Sequence, residues 1–133
     1  MSEITDRLEI AELFARLSRL LDEARHDDAG TVYTDDVVVR SPRGLLRGVD
    51  EVTAHLRAHQ LPGERTQHVH GDILVTVDGD HASASANQLV YFYRDGRPPH
   101  RESGVRLRYT AVRTPDGWRF DTAHIAVAFQ RAA

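Results

Sequence analysis

The sequence predicts an α+β fold: a curved, mostly antiparallel sheet wrapped around N-terminal helices, cone-shaped with an internal pocket. Helical apolar periodicity dominates the first half of the chain, and four long strand-like runs follow one another from Arg65 onward. Helices first and strands afterwards are typical of α+β proteins, in which the helices cover one face of the sheet. Strands of this length must bend, which curls the sheet and leaves room for a cavity beneath the helices.

Length and composition restrict the class of protein. The 133 residues are expected to form one domain over residues 1–133, long enough to bury a core without disulfides. A net charge of −3 argues against nucleic acid as a partner, because nucleic acid requires a basic face. No apolar run approaches the roughly 18 residues of a membrane span. The charged N-terminus lacks a signal-peptide pattern, so we expect a cytoplasmic protein that does not enter a membrane.

Absent residue types exclude several kinds of chemistry. The chain has no cysteine, which excludes thiol nucleophiles, disulfides and thiolate metal centres. All 17 basic residues are arginines, which excludes a lysine Schiff base. Glycine-rich nucleotide-binding motifs and the G-x-S-x-G motif are missing as well. The remaining reactive groups are His, Asp, Glu, Tyr, Ser and Arg, so an enzyme of this composition is expected to perform proton chemistry without a cofactor.

The N-terminal segment has the periodicity of an amphipathic helix from Ser2 to about Arg25. Ser2 or Thr5 is the expected N-cap. A short stretch, Ala29 to Tyr33, then predicts one or two further helical turns. The apolar stripe of the long helix recurs at helical spacing and consists of Ile10, Leu13, Phe14, Leu17, Leu20, Leu21 and Ala24.

The middle of the chain predicts two short strands and a second helix. Val37–Arg40 and Leu45–Arg47 are the strands, joined by a turn at Ser41-Pro42-Arg43-Gly44. Gly48 precedes the second amphipathic helix, Val49 to His59, which the Leu61-Pro62-Gly63 segment ends. The expected inner side of this helix carries Val52, Leu56 and His59.

The C-terminal half predicts a meander of four antiparallel strands. The runs are Thr66–Val77, His81–Arg94, Gly104–Arg113 and Trp118–Phe129. An Asp-Gly pair stands in each of the three connections between them, and Asp-Gly is a strong hairpin signal. Tyr33 and Trp118 are expected to anchor the core, because each is an aromatic residue close to a strand.

The order of elements and several short segments resemble the SnoaL-like branch of the nuclear-transport-factor-2-like superfamily. The resemblance covers nearly the whole chain and implies the α+β cone. It leaves the activity open, since this fold hosts lyases, isomerases, hydrolases and binding proteins. The matching segments are Leu21-Asp22, Tyr33–Val37, Leu46–Val52, Thr66–His68, Val77–Ala82 and Arg113–Phe120.

Within that superfamily the chain resembles scytalone dehydratase and hexachlorocyclohexane dehydrochlorinase, which pair an aspartate late in the first helix with a histidine on a pocket strand. The resemblance therefore implies Asp22 and His68 as a catalytic acid–base dyad. A carboxylate beside an imidazole fixes its tautomer and stabilises imidazolium. The residues alone also allow a purely structural His68 and an Asp22 that pairs with Arg19 or Arg25.

His70 is a candidate substrate-binding residue, because it shares a strand face with His68. The H-x-H spacing also invites a metal hypothesis. A third ligand would have to come from Asp72 or His124, and no spacing supports either. We expect no metal site, with His70 lining the pocket or its rim.

Three further side chains are candidates for substrate binding. His124 alternates with apolar residues, and small Ala126 and Ala128 on its face would leave room for a ligand; an outward-facing His124 is the alternative. Arg106 could hold an anionic group or form a cross-strand salt bridge. Tyr91 could supply a phenol that polarises a carbonyl.

These candidates predict a cofactor-independent lyase or isomerase, dehydratase- or cyclase-like, acting on a small apolar or aromatic substrate. The alternative is a non-catalytic ligand-binding or accessory domain with the same cone. A homodimer is also expected, because Ile125, Val127 and Phe129 form an apolar row that strand parity places outside the cone. Reversed parity would instead turn this row toward the core.

Overall fold

The computed structural model describes residues 2–132 and confirms the α+β prediction, with two α-helices, one 3₁₀ helix and six strands in that range. The helices are α1 (Glu3–Asp22), the 3₁₀ helix (His26–Thr31) and α2 (Val49–Ala58). The strands are β1 (Tyr33–Ser41), β2 (Gly44–Arg47), β3 (Arg65–Asp78), β4 (His81–Tyr93), β5 (Arg101–Thr114) and β6 (Gly117–Ala132). In this part of the chain neither α-helix combines the length and apolar character that a membrane crossing requires.

Helix α1 ends at Asp22, three residues before the predicted boundary. Its start is capped as expected, because Ser2 Oγ accepts the backbone N–H of Thr5 at 3.1 Å. At the other end Ala24 adopts a left-handed φ of 54°. The N–H of Arg25 then donates to the carbonyl of Leu20 at 2.8 Å, the pattern of a helix closed by a left-handed residue. Asp22 therefore occupies the last helical position, from which its side chain reaches the sheet.

The six strands form one sheet in the order β2-β1-β6-β5-β4-β3. Strands β3 to β6 make the predicted antiparallel meander, and β1 joins β6 in the sheet's one parallel pairing within residues 2–132. Register shifts interrupt β3 between Gly71 and Leu74, and the β5–β6 pairing in two places. Bulges of this kind bend strands, so they supply the predicted curvature.

Helix α1 lies against the concave face of the curved sheet and fills it with aliphatic and aromatic side chains. Phe14 of α1 packs against Tyr109 and Phe120, with ring centroids 5.4 and 4.9 Å away. Trp118 is fully buried, as expected of a core anchor. Its indole Nε1 donates to Asp6, which also receives two hydrogen bonds from the Arg113 guanidinium. These bonds lower the pKa of the Asp6 carboxyl and join the start of α1 to the last hairpin.

The last strand has the reverse of the predicted parity over its middle. Ile125 pairs with Leu107 and packs against the core from inside the cone, so its predicted outward position is wrong. Val127 pairs with Val105 on the same face. A one-residue shift follows, because Phe129 pairs with Gly104, and this extra residue turns Phe129 to the convex face. Alternation alone could not have located that shift.

Candidate active site

A cavity of about 860 Å³ opens between the helices and the concave face of the sheet. One wall comes from α1, a second from α2 and the β1–β2 hairpin, and the floor from the sheet. The lining is apolar over much of its area, through Leu17, Leu21, Val39, Leu46, Val52, Leu56, Phe92 and Ile125. A few polar side chains also line the cavity, and their chemistry determines which reactions the site can support.

Asp22 and His68 meet at one side of this cavity. His68 Nδ1 lies 2.6 Å from Asp22 Oδ1, and both residues line the cavity. The exposed fractions of the two side chains are 12% for His68 and 23% for Asp22, so solvent and small molecules reach the pair. The fold therefore brings together the two residues that the resemblance implied.

The Asp22 carboxylate receives several donors from β3. Thr66 Oγ1 donates to Oδ1 at 3.1 Å, and the backbone N–H of His68 lies 3.1 Å from Oδ1 and 3.0 Å from Oδ2. These bonds hold the carboxylate at the strand and compensate for its place at a helix C-terminus, where the dipole disfavours negative charge. Arg25, a possible alternative partner, instead pairs with Asp28 at 2.8 Å and Glu23 at 3.7 Å.

This arrangement determines the tautomer of His68. An ionised carboxylate only accepts hydrogen bonds, so the imidazole proton belongs on Nδ1, facing Asp22. Nε2 is then left with a lone pair that can take a proton from a ligand. The same carboxylate stabilises the imidazolium that forms.

His70 lies beside the dyad but makes different contacts. Its Nδ1 is 2.6 Å from Ser18 Oγ, its Nε2 is 3.1 Å from Gln88 Nε2, and its ring packs against Phe14 at 5.4 Å. Burial lowers the pKa of His70 to about 4; the charge of His68 adds to this shift and that of Asp22 opposes it. The residue lines a shallow groove between α1 and β3 rather than the main cavity. Its imidazole is therefore neutral near pH 7.

Three predicted substrate-binding residues lie away from the cavity. His124 and Arg106 are exposed on the convex face, where His124 pairs with Arg108 and Arg106 pairs with Asn87. Tyr91 sits between Gln67 and Glu102 on the same side of the sheet. Strand alternation separates all three from the concave face that carries His68.

Two tyrosines that the sequence analysis did not place in the site lie on the cavity floor. Tyr33 and Tyr109 are nearly fully buried and both line the cavity. Burial raises the pKa of Tyr33 to about 12, with a hydrogen bond from Tyr109 opposing the shift. Burial also raises the pKa of Tyr109, and the neighbouring Tyr33 adds to it. Both phenols therefore stay protonated. Because the single O–H of Tyr109 is donated to Tyr33, the O–H of Tyr33 is the one left to donate to a ligand.

The sequence carried a signal for Tyr109 and for a second missed residue, Gln88. Tyr109 occupies an apolar parity row of β5, with Leu107 and Ala111, so it had to face inward. Gln88 interrupts the inward row of β4, between Ala86 and Val90, and is only 7% exposed. A polar residue in an apolar row is a recognisable mark of a site, since burying it without partners is costly.

Charged side chains at the cavity mouth are largely paired with one another. Arg65 contacts Asp95 at 2.8 Å, and Glu64 contacts His100 at 2.8 Å. The Arg101 guanidinium stacks over Phe92, 3.8 Å from the ring centroid. Among residues 2–132 no three His, Asp or Glu side chains come together in an arrangement that could hold a metal ion.

Comparisons with known proteins identify the family of the chain. A family model described as a SnoaL-like domain matches residues 2–124. Uncharacterized proteins of Mycobacterium tuberculosis and Mycobacterium bovis are 33% identical over 126 residues, covering 90% of this chain and 83% of theirs.

Solved structures show the same fold. A protein of Kribbella flavida superposes with a TM-score of 0.87 at 25% identity, covering 98% of this chain and 95% of that one. A hexachlorocyclohexane dehydrochlorinase gives a TM-score of 0.83 at 13% identity, over 98% and 90% of the two chains. A scytalone dehydratase-like protein of Novosphingobium aromaticivorans gives 0.84 at 16% identity, over 98% and 89%.

Proposed function

Because the chain belongs to the family of SnoaL-like domains, we propose that it is a cofactor-independent lyase or isomerase, dehydratase- or cyclase-like, that uses His68 and Asp22 as an acid–base dyad. One observation carries the proposal. The 2.6 Å contact between His68 Nδ1 and Asp22 Oδ1 lies at the wall of a cavity large enough for a small molecule. Ligand pockets commonly measure about 300–1,000 Å³.

His68 is the general base of the proposed reaction. Its Nε2 lone pair removes a proton from a carbon next to a carbonyl or a leaving group. Asp22 keeps the Nδ1 proton in place and stabilises the imidazolium by its negative charge. The imidazolium then returns the proton, either to a departing hydroxyl in a lyase or to a second carbon in an isomerase.

Negative charge that develops on the substrate needs a hydrogen-bond donor inside the cavity. Tyr33 suits this role, because it is protonated, borders the cavity floor and accepts the hydrogen bond of Tyr109, which leaves its own O–H free to donate. A fixed donor in a site with little water stabilises a developing oxyanion strongly. We assign Tyr33 the role that the sequence analysis considered for Tyr91.

The substrate we propose is a small apolar or aromatic molecule with one activated C–H bond. The aliphatic walls around Leu46, Leu56 and Ile125 favour a carbon skeleton. The dehydrochlorinase and the scytalone dehydratase-like protein share the fold of this chain. Because their identities are only 13% and 16%, the similarity concerns the fold and not the reaction. The dyad, rather than the comparison, supports the reaction type.

The proposal is tested by proton exchange in D₂O, which does not require the natural substrate. Purified protein is incubated with small cyclic ketones such as 1-indanone and 1-tetralone, and deuterium at the α-carbon is followed by ¹H NMR. Exchange is expected with the wild type and is lost in His68→Ala. The matched control is His124→Ala, which removes an exposed histidine on the convex face and should leave the rate unchanged.

Two results would contradict catalysis. Exchange that persists in His68→Ala would remove the dyad from the mechanism. Binding of the ketones without any exchange would favour the second hypothesis, a non-catalytic ligand-binding or accessory domain with the same cavity.

We further propose that the protein is a homodimer that pairs through the convex face of its sheet. Val69, Leu89 and Phe129 occupy one row across four strands, with the Phe129 ring lying over Gly104. Their exposed fractions are 44%, 41% and 54%. A contiguous apolar row of this kind often marks an interface, and a two-fold pairing would bury both copies of it.

A further inference from the structure

Gln88 is a buried polar side chain whose hydrogen-bonding capacity is only partly used. It is 7% exposed and lines the main cavity. Its amide nitrogen contacts His70, and no partner for its carbonyl Oε1 is found among residues 2–132. Among the same residues, Thr34 Oγ1 is the one side-chain oxygen or nitrogen that is both fully buried and without a hydrogen-bond partner. Gln88 Oε1 also lacks a partner, so it is not fully buried. Oε1 is therefore open to the cavity.

The position of the Gln88 amide is set by its cross-strand neighbour. His70 and Gln88 are directly opposite one another in the β3–β4 ladder, on the concave side. His70 Nε2 lies 3.1 Å from Gln88 Nε2. An amide nitrogen only donates, so His70 must accept at Nε2 and carry its proton on Nδ1. That proton is donated to Ser18 Oγ, 2.6 Å away on α1.

The chain of contacts from Ser18 to Gln88 depends on a neutral imidazole. Protonation would place a second N–H opposite the amide N–H and break the bond to Gln88. Burial against Phe14 keeps His70 neutral across the physiological range. Ser18 and His70 thus hold the Gln88 amide with its nitrogen toward His70 and its oxygen toward the cavity.

Gln88 is a diagonal neighbour of the proposed base. His68 pairs with Val90, and Gln88 is two residues from Val90 on the same face of β4. Diagonal neighbours in an antiparallel pair are roughly 7–8 Å apart. Because both residues also line the same cavity, one ligand of about two rings can reach both side chains.

We propose that Gln88, positioned by His70 and Ser18, is the hydrogen-bond acceptor that selects cavity ligands carrying a hydroxyl or N–H donor. The inference rests on the cavity of the proposed function and on ligand binding there, and it does not require catalysis. A ligand without a donor leaves a buried acceptor unpaired once water is displaced, which weakens binding. A ligand with a donor in that place satisfies it.

The test uses two probes with the same naphthalene ring: 2-naphthol, which donates a hydrogen bond, and its methyl ether 2-methoxynaphthalene, which does not. Dissociation constants are measured by titrating ¹⁵N-labelled protein and following its amide signals. Wild-type protein is expected to bind 2-naphthol roughly two- to tenfold more tightly, the range for one hydrogen bond. Gln88→Leu should lose this preference, and the difference between the two proteins cancels the effect of the extra methyl group.

A matched control and a second variant identify the residue responsible. Gln67→Leu makes the same chemical change at an exposed position of β3, and it should keep the wild-type preference. His70→Phe keeps a ring against Phe14 but releases the amide, and it should lose most of the preference. An equal preference in wild type and Gln88→Leu, or no perturbation of the Gln88 side-chain amide by either probe, would overturn the proposal.

A measurement without ligand tests the positioning directly, even if His70→Phe fails to fold. The ring ¹⁵N chemical shifts of wild-type His70 should report a neutral imidazole protonated on Nδ1 at pH 7. Protonation on Nε2 would overturn the assignment, because the amide oxygen would then face His70. If His68→Ala loses proton exchange but keeps the preference for 2-naphthol, ligand selection by Gln88 is independent of catalysis by His68.

Discussion

His68 Nδ1 and Asp22 Oδ1 lie 2.6 Å apart, although 46 positions separate the two residues in the chain. The contact exists because α1 stops at Asp22 and because β3 presents Thr66 and the His68 backbone N–H to the same carboxylate. The carboxylate is thereby oriented before any ligand arrives. Such preorganisation is what acid–base catalysis requires of a supporting group.

Asp22→Asn should lower the rate of α-proton exchange by roughly 10²–10⁴-fold, the range associated with a positioned acid–base group. The amide keeps the size of the side chain but no longer stabilises imidazolium. The measurement is the deuterium incorporation rate by ¹H NMR. Asp36→Asn, at an exposed position of β1, is the control and should retain the wild-type rate.

Thr66→Val should reduce the exchange rate about tenfold. The variant keeps the β-branched shape but removes the hydroxyl that donates to Asp22 Oδ1 at 3.1 Å. A hydrogen bond to a charged group contributes about 1.5–3 kcal/mol, part of which is retained through the two backbone contacts. Thr66→Ser restores the donor and should restore the rate. Equal rates in both variants would show that the hydroxyl is dispensable.

Tyr33→Phe should slow exchange by about 10²-fold, the scale of losing one oxyanion donor, without unfolding the protein. The Tyr33 side chain borders the cavity, and removal of its hydroxyl leaves the packing of the ring against Phe120 intact. Exchange kinetics and circular dichroism give the two readouts. A wild-type rate in this variant would exclude Tyr33 from charge stabilisation.

His70 should make stability depend on pH between about 6.5 and 4. Burial depresses its folded-state pKa to about 4 from an ordinary value of 6.5, so the unfolded chain binds the proton more readily. Its stabilising contribution is therefore complete above about pH 6.5 and is lost as the pH falls toward 4. Allowing for partial exposure, the loss is on the order of 2 kcal/mol.

The measurement is urea unfolding at several pH values in wild type and His70→Asn. The variant should be less stable at pH 7.5 and should lose less stability on acidification. Since His26 and His55 also have lowered pKa values, the difference between the two proteins isolates His70. His124→Asn should follow the wild-type curve, and a His70→Asn curve parallel to wild type would contradict the prediction.

Phe129→Glu should convert the dimer to a monomer. The substitution places a carboxylate at the β6 end of the apolar convex row, where the Phe129 ring lies over Gly104 and Leu89 follows on the next strand. Light scattering at micromolar concentration should give twice the chain mass for wild type and the chain mass for the variant. Leu61→Glu, at another exposed apolar position, should stay dimeric. A monomeric wild type would overturn the proposed interface.

The sequence by itself determined the α+β class, the meander and most element boundaries, because these follow from local periodicity and from Asp-Gly turns. The end of α1 was predicted three residues late. The helix ends where Ala24 adopts a left-handed conformation, and alanine gives no sequence signal for this because it ordinarily favours a helix. Through the resemblance, the sequence also indicated Asp22 and His68 as partners.

Tertiary structure decided which face of β6 looks into the cone. In β6 every second residue from Ile125 to Phe129 is apolar and the residues between are alanines, so hydrophobicity alone does not distinguish inside from outside. A one-residue shift near Phe129 then reverses the parity within the strand. The ladder places His124 opposite Arg108 and Ile125 opposite Leu107, which puts His124 outside the cone and Ile125 inside it. Pairing register is a long-range property set by the packing of the whole sheet, and one slipped residue exchanges its two faces.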